Sequence, residues 1–172
     1  MSKDKEVKTN AMRILDRNKV KYKVNTYECD EFIDGMQIVE KLNLKPEQVY
    51  KTLVTTGKTG NHYVFVIPIE AEIDFAIPIA EELDMKKAAK SVGEKSVEML
   101  HVKDINSVTG YIRGGCTPLG MKKQYMTVVD SSAEQFEEII ISGGRIGSQI
   151  MLSPKDLIKV TRGKFESITM SE

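Results

Sequence analysis

A chain of 172 residues, 41% hydrophobic and 29% charged, has the make-up of an ordinary globular protein with room for a core of its own. Its 25 Lys and Arg balance 25 Asp and Glu, so nothing pulls it globally toward DNA or a membrane, and any RNA contact must come from a local patch. Cys29 and Cys116 show no C-x-x-C spacing, and the polar opening residues carry no signal-peptide core, which makes a reducing cytoplasm the expected location.

In chain order, Val7, Ala11, Ile14 and Leu15 recur at helical spacing and predict an amphipathic helix ending near Asn18. Val20, Tyr22, Val24 and Thr26 alternate as a half-buried strand. Met36, Ile38, Val39 and Leu42 predict a second helix, stopped at Asn43 before the Lys45-Pro46 turn. Residues 50–56 and 62–67 read as a hairpin closed by Gly57-Lys58-Thr59-Gly60. The run Ile67-Pro68-Ile69-Glu70 is then echoed by Ile77-Pro78-Ile79-Ala80, a repeat too short for a solenoid.

Asp84 is a good N-cap for a helix over residues 85–92, with Gly93 as its stop, and 96–100 predicts a further helical turn. Residues 126–129 form a short apolar strand, 132–136 a helix start or turn, and 138–142 and 148–152 two strands joined across Gly143-Gly144. Ser153-Pro154-Lys155-Asp156 combines an N-cap, an N1 proline and an acid, so a helix runs toward Val160. Some strands are neighbours across short turns and others are separated by helices. An α+β fold with a mixed sheet fits better than a doubly wound parallel sheet, as one domain over residues 1–172.

Two glycine-paired loops carry the chemistry: Gly114-Gly115-Cys116-Thr117-Pro118-Leu119-Gly120 and Ser142-Gly143-Gly144-Arg145. Paired glycines let backbone approach a ligand where side chains would block it. Gly115 and Gly120 fit the P-loop spacing, but Met121 fills the lysine position and no hydroxyl follows Lys122, which argues against nucleotide hydrolysis. Only His62 and His101 are present, with no metal-binding spacing and no G-x-S-x-G elbow, so no metal or cofactor is called for. Cys116 is either a small buried hydrophobe or a thiol activated by its loop. Lys51 lies on the strand face of Leu53, opposite Tyr50 and Val54; it is either a solvated strand-start lysine or a cation for a phosphate or ribose hydroxyl. Lys122 and Lys123, beside the loop, are either solvated or meet phosphates.

The runs Tyr50-Lys51-Thr52-Leu53, Gly110-Tyr111-Ile112-Arg113-Gly114-Gly115-Cys116-Thr117-Pro118-Leu119-Gly120 and Ser142-Gly143-Gly144 together resemble the YbaK/EbsC family. These are free-standing relatives of the editing domain inserted in bacterial prolyl-tRNA synthetases. The similarity extends from the first helix to the C-terminal one and takes in Thr26-Tyr27-Glu28. It implies a barrel-like mixed sheet with packed helices and an aminoacyl-tRNA deacylase acting on cysteine misattached to proline tRNA. The partners it implies are the aminoacyl-tRNA acceptor end and, with it, prolyl-tRNA synthetase.

Carried over residue by residue, the resemblance makes Lys51 the essential lysine, which positions the acceptor-end sugar and phosphate. Tyr27 becomes a pocket tyrosine, Gly114 and Gly115 backbone contacts to the substrate, and Ser142 a hydroxyl lining the site. Gln149 stands where well-studied members carry an aspartate, and Ile33-Asp34 where an aromatic is common. The implied mechanism uses the substrate's own thiol as nucleophile, so Cys116 is a bystander. Two alternatives stay open: a non-catalytic binding protein using the same pocket, and a deacylase for alanyl-tRNA or another small aminoacyl ester.

Overall fold

In the computed structural model of the chain, residues 8–26, 48–69 and 83–169 are described. The predicted helix around residues 36–42, Tyr27 and most of the apolar echo (70–82) lie outside them. The first helix, α1, spans Asn10–Arg17. Thr9 caps it by accepting a hydrogen bond from the Met12 amide at 3.2 Å, a kind of contact that contributes roughly 1 kcal/mol. Ala11, Met12 and Leu15 form its buried stripe.

Strand β1 (Lys23–Thr26) follows, then the predicted hairpin as β2 (Tyr50–Gly57) and β3 (His62–Pro68). Asp84 caps α2 (Met85–Ser91) through hydrogen bonds from the Lys86 and Lys87 amides. Residues 96–100 are a correction: Val97–Met99 is strand β4, because it pairs antiparallel with Thr55–Gly57 of β2. Three residues between a turn and a loop hold no periodicity of their own, and the pairing decides the outcome. A 3₁₀ turn (Val102–Asp104) leads into the short helix α3 (Ile105–Thr109). Then come β5 (Met126–Asp130), a 3₁₀ turn (Ser131–Gln135), β6 (Ile139–Ser142), β7 (Ser148–Leu152), α4 (Pro154–Thr161) and β8 (Lys164–Glu166).

The strands form two sheets. One is antiparallel in the order β1-β7-β6; the other is mixed, in the order β4-β2-β3-β5-β8, with β3, β5 and β8 parallel. The α+β class and the mixed sheet are as expected. Closure into a barrel is not reached among the described residues, because the larger sheet ends on β4 and β8 and touches the smaller one through a single bridge, Val49 to Ile140.

Each face of the larger sheet packs on its own core. Tyr50, Val66 and Val129 meet α1, Leu119, β6, β7 and Leu157 of α4 on one side. Phe65, Ile67 and Val128 meet Ala88 and Ala89 of α2, Leu83 and Ile168 on the other. Each fully buried Leu, Ile or Phe contributes about 1.5–3 kcal/mol, so strand alternation is strongly fixed on both sides. Among the described residues no helix is long and apolar enough to cross a membrane.

Candidate active site

The site lies where β2 passes from one sheet to the other. Val49, just before β2, bridges β6 in parallel, and at Val54 the β2 carbonyl accepts from the Leu100 amide just past β4. Lys51 to Leu53 lies between these two contacts. Directly opposite residues of an antiparallel pair share a face. Lys51 is opposite Ile67 and Leu53 opposite Phe65, which confirms that Lys51 and Leu53 share a face and that Tyr50 points the other way.

One step toward the smaller sheet, Val49, Ile69 and Ile140 form a small apolar cluster with Met151 against it. This fixes the faces of three strands at once. Lys51 is two residues on from Val49, Ser142 two on from Ile140, and Gln149 two before Met151, so all three share that face. Lys51 lies two residues past the bridge that joins Ile140 of β6, and Ser142 is paired opposite Gln149, itself opposite Asn25. The result is a polar row of Ser142, Gln149 and Asn25 across β6, β7 and β1, with Lys51 on the same face at the neighbouring start of β2. Lys51, Ser142 and Asn25 are half-buried and Gln149 is buried.

The two glycine loops meet beside this row. The Gly115 amide donates to the Ile112 carbonyl at 2.9 Å, closing a tight turn in which Gly114 has φ +89°, a conformation that favours glycine. A methyl group on Gly115 would sit 2.8 Å from Cα of Arg145, so this loop and the 143–147 turn touch backbone to backbone. Ser142 Oγ accepts from the Gly144 amide at 3.2 Å, and the Thr9 hydroxyl that caps α1 also donates to the Gly143 carbonyl at 2.6 Å. Tyr111, buried at the root of the loop, donates to the Leu119 carbonyl and holds the loop's two ends together.

Burial, opposed by a hydrogen bond with Thr109, pushes the Cys116 thiol up to about 11. Burial first and the neighbouring Cys116 second push the Tyr111 phenol up to about 12. Both are therefore protonated at neutral pH, and Cys116 lacks the thiolate character of a nucleophile.

Of the residues singled out from the sequence, Lys51, Ser142 and Gln149 share one face, and Gly114 and Gly115 lie against the turn that follows Ser142. Tyr27 adjoins β1 in sequence but is outside the described residues. Asn25 was missed, since its place depends on pairing with Gln149 and no local pattern marks it.

Half-buried Lys51 near the start of β2 and the two glycine turns that meet backbone to backbone fall within a stretch matched by the aminoacyl-tRNA editing domain family. The model of that family matches residues 36–160, and the chain belongs to it. A curated relative from Enterococcus faecalis, named "Putative Cys-tRNA(Pro)/Cys-tRNA(Cys) deacylase EbsC", is 44% identical over 175 residues and covers 100% of both chains. Among solved structures, one described as "a putative trans-editing enzyme for prolyl tRNA synthetase" superposes with TM-score 0.75 at 19% identity, covering 96% of this chain and 100% of that one. A second, from work on epitope grafting onto scaffold proteins, has TM-score 0.77 at 20% identity, again covering 96% and 100%. At such identities the structural matches speak for the fold alone.

Proposed function

We propose that this protein is an aminoacyl-tRNA deacylase that removes cysteine from Cys-tRNA(Pro) through the substrate's own thiol. Membership of the editing family and the relative named as a Cys-tRNA deacylase support the reaction class. The observation that carries the site is the shared face of Lys51, Ser142 and Gln149 beside Gly114 and Gly115.

An aminoacyl ester is already activated, so positioning and stabilisation of the developing oxyanion supply much of the rate. Lys51 anchors the terminal ribose and phosphate by charge-assisted hydrogen bonds. The loop backbone at Gly114 and Gly115 lies along the aminoacyl group, and Ser142 and Gln149 orient it. The cysteinyl sulfur then attacks its own ester carbonyl. The carbon–oxygen bond to the ribose breaks, a thiolactone leaves, and the thiol proton ends on the ribose oxygen. The protein's task is to fold the substrate into this conformer, which explains a site with no nucleophile of its own. Prolyl-tRNA synthetase is the partner that would supply charged tRNA, working in a translating compartment.

Lys51→Ala is the test. It should abolish deacylation of Cys-tRNA(Pro) while leaving thermal unfolding close to wild type. A well-folded, active variant would remove Lys51 from the site.

A further inference from the structure

The chain has no net charge, yet its substrate is a polyanion, so the cations that meet RNA must be grouped. One group lies at the base of the 110–120 loop. The Lys122 amide donates to the Thr109 carbonyl at 3.1 Å, and the Lys122 stem passes Gly110, 3.3 Å from where a methyl group there would sit. This lays the lysine across the root of the loop whose far end touches Arg145. Lys122 and Lys123 are exposed, and neither has an ion-pair partner among the described residues. Between them and Gly114 the loop exposes Arg113 and Ile112, the latter 55% accessible, and Met126 beyond them is 50% accessible.

The strand register gives the scale. Met126 is opposite Tyr63 and Lys51 is opposite Ile67. Tyr63 to Ile67 is four residues of β3, about 13 Å at ~3.3 Å per residue. Lys122 and Lys123 precede Met126 outside the strand, at the root of the 110–120 loop. Their place is the loop root and not the strand start that holds Lys51, and a strand leaving the site along the loop would reach them. Exposed apolar side chains interleaved with cations suit unpaired nucleotides, whose bases stack while their phosphates pair.

We propose that Lys122 and Lys123, with Ile112 and Arg113 on the loop between, form the track for the single-stranded 3′ segment of the tRNA as it leaves the site. This rests on the deacylase function proposed above, but its test needs no catalysis. The probe is uncharged proline tRNA, with binding followed by fluorescence anisotropy across a salt series. Each phosphate contact on a single strand contributes about 0.7 to the slope of log K against log salt. Lys122→Ala/Lys123→Ala should lower the slope by about 1.4, and Lys123→Ala alone by about half of that. Lys122→Arg/Lys123→Arg should keep it, since the charges remain. Lys155→Ala/Lys159→Ala, on exposed positions of α4, should leave it unchanged. Thermal unfolding of each variant checks the fold, and the single variant serves if the double one is unstable. An unchanged slope in the alanine variants, an equal loss from the α4 pair, or no salt-dependent binding by the wild type would overturn the proposal.

Discussion

Gly57 and Gly115 both occupy positions where a methyl group does not fit, but different things fill the space. At Gly57, at the end of the β2–β3 hairpin, a built Cβ would lie 2.3 Å from Cδ of Glu94. That carboxylate accepts from the Thr59 amide and from the Thr59 and Tyr63 hydroxyls, and it ties the hairpin turn to the segment after α2. At Gly115 the obstacle is the backbone of Arg145. A side chain can swing aside, whereas a turn pinned by Thr9 and Ser142 cannot without moving the row beside Lys51. Glycine in the hairpin makes room for a structural carboxylate. In the loop it brings two stretches of backbone together, as the proposed substrate-assisted reaction requires.

The largest effect should come from swapping alanine into the two glycines. Gly115→Ala should reduce deacylation by about 100-fold or more, since a shift near 1 Å in a positioned substrate costs on that order. It should also cost ~1–3 kcal/mol of stability through overpacking. Gly57→Ala should lower the unfolding temperature by displacing Glu94 yet leave kcat/KM near wild type. Comparable activity losses in both variants would break the distinction.

A smaller effect, confined to acid, is expected of Glu94→Gln. Hydrogen bonds from Thr59 first and Tyr63 second hold the Glu94 carboxyl below its ordinary value of 4.5. A depressed native value means that the stabilisation is complete above pH 4.5 and is lost as pH falls through the lower native value. Glu94→Gln should therefore flatten the fall of unfolding temperature below pH 4.5 and leave deacylation at neutral pH unaltered. An unchanged acid profile would remove Glu94 as the hairpin's acid-sensitive tie. The smallest effect is expected at Cys116, whose half-buried thiol is protonated at neutral pH. Cys116→Ser should keep most of the activity, and a thioester trapped on Cys116 would replace substrate-assisted cleavage with covalent catalysis.

The same contrast between local and distant contacts explains how much was legible in the sequence. The hairpin was readable because alternation and the Gly57 to Gly60 turn are local, and α2 and α4 because Asp84 and Ser153 cap them within a few residues. Strand β4, helix α3 and strand β8 were not, being three, five and three residues long. β4 and β8 are strands only by pairing with β2 and β5. In the site, motif resemblance singled out Lys51, Gly114, Ser142 and Gln149 one by one. The shared face of Lys51, Ser142 and Gln149 rests on a bridge between Val49 and Ile140, 91 positions apart in the numbering, and Asn25 enters only through the register of β1 on β7.

The central claim is that the protein supplies position and the substrate supplies the nucleophile. Single-turnover deacylation of Cys-tRNA(Pro) and Ala-tRNA(Pro), at matched enzyme and tRNA concentrations, tests it most directly. A missing pocket contact would separate the two by only ~1–3 kcal/mol, or about 10–200-fold. Absence of the reacting thiol should instead remove nearly the whole chemical step for the alanyl ester, and the cysteinyl reaction should release a thiolactone. Similar rates for the two esters, with free cysteine as the first product, would mean that water is the nucleophile and would contradict the account.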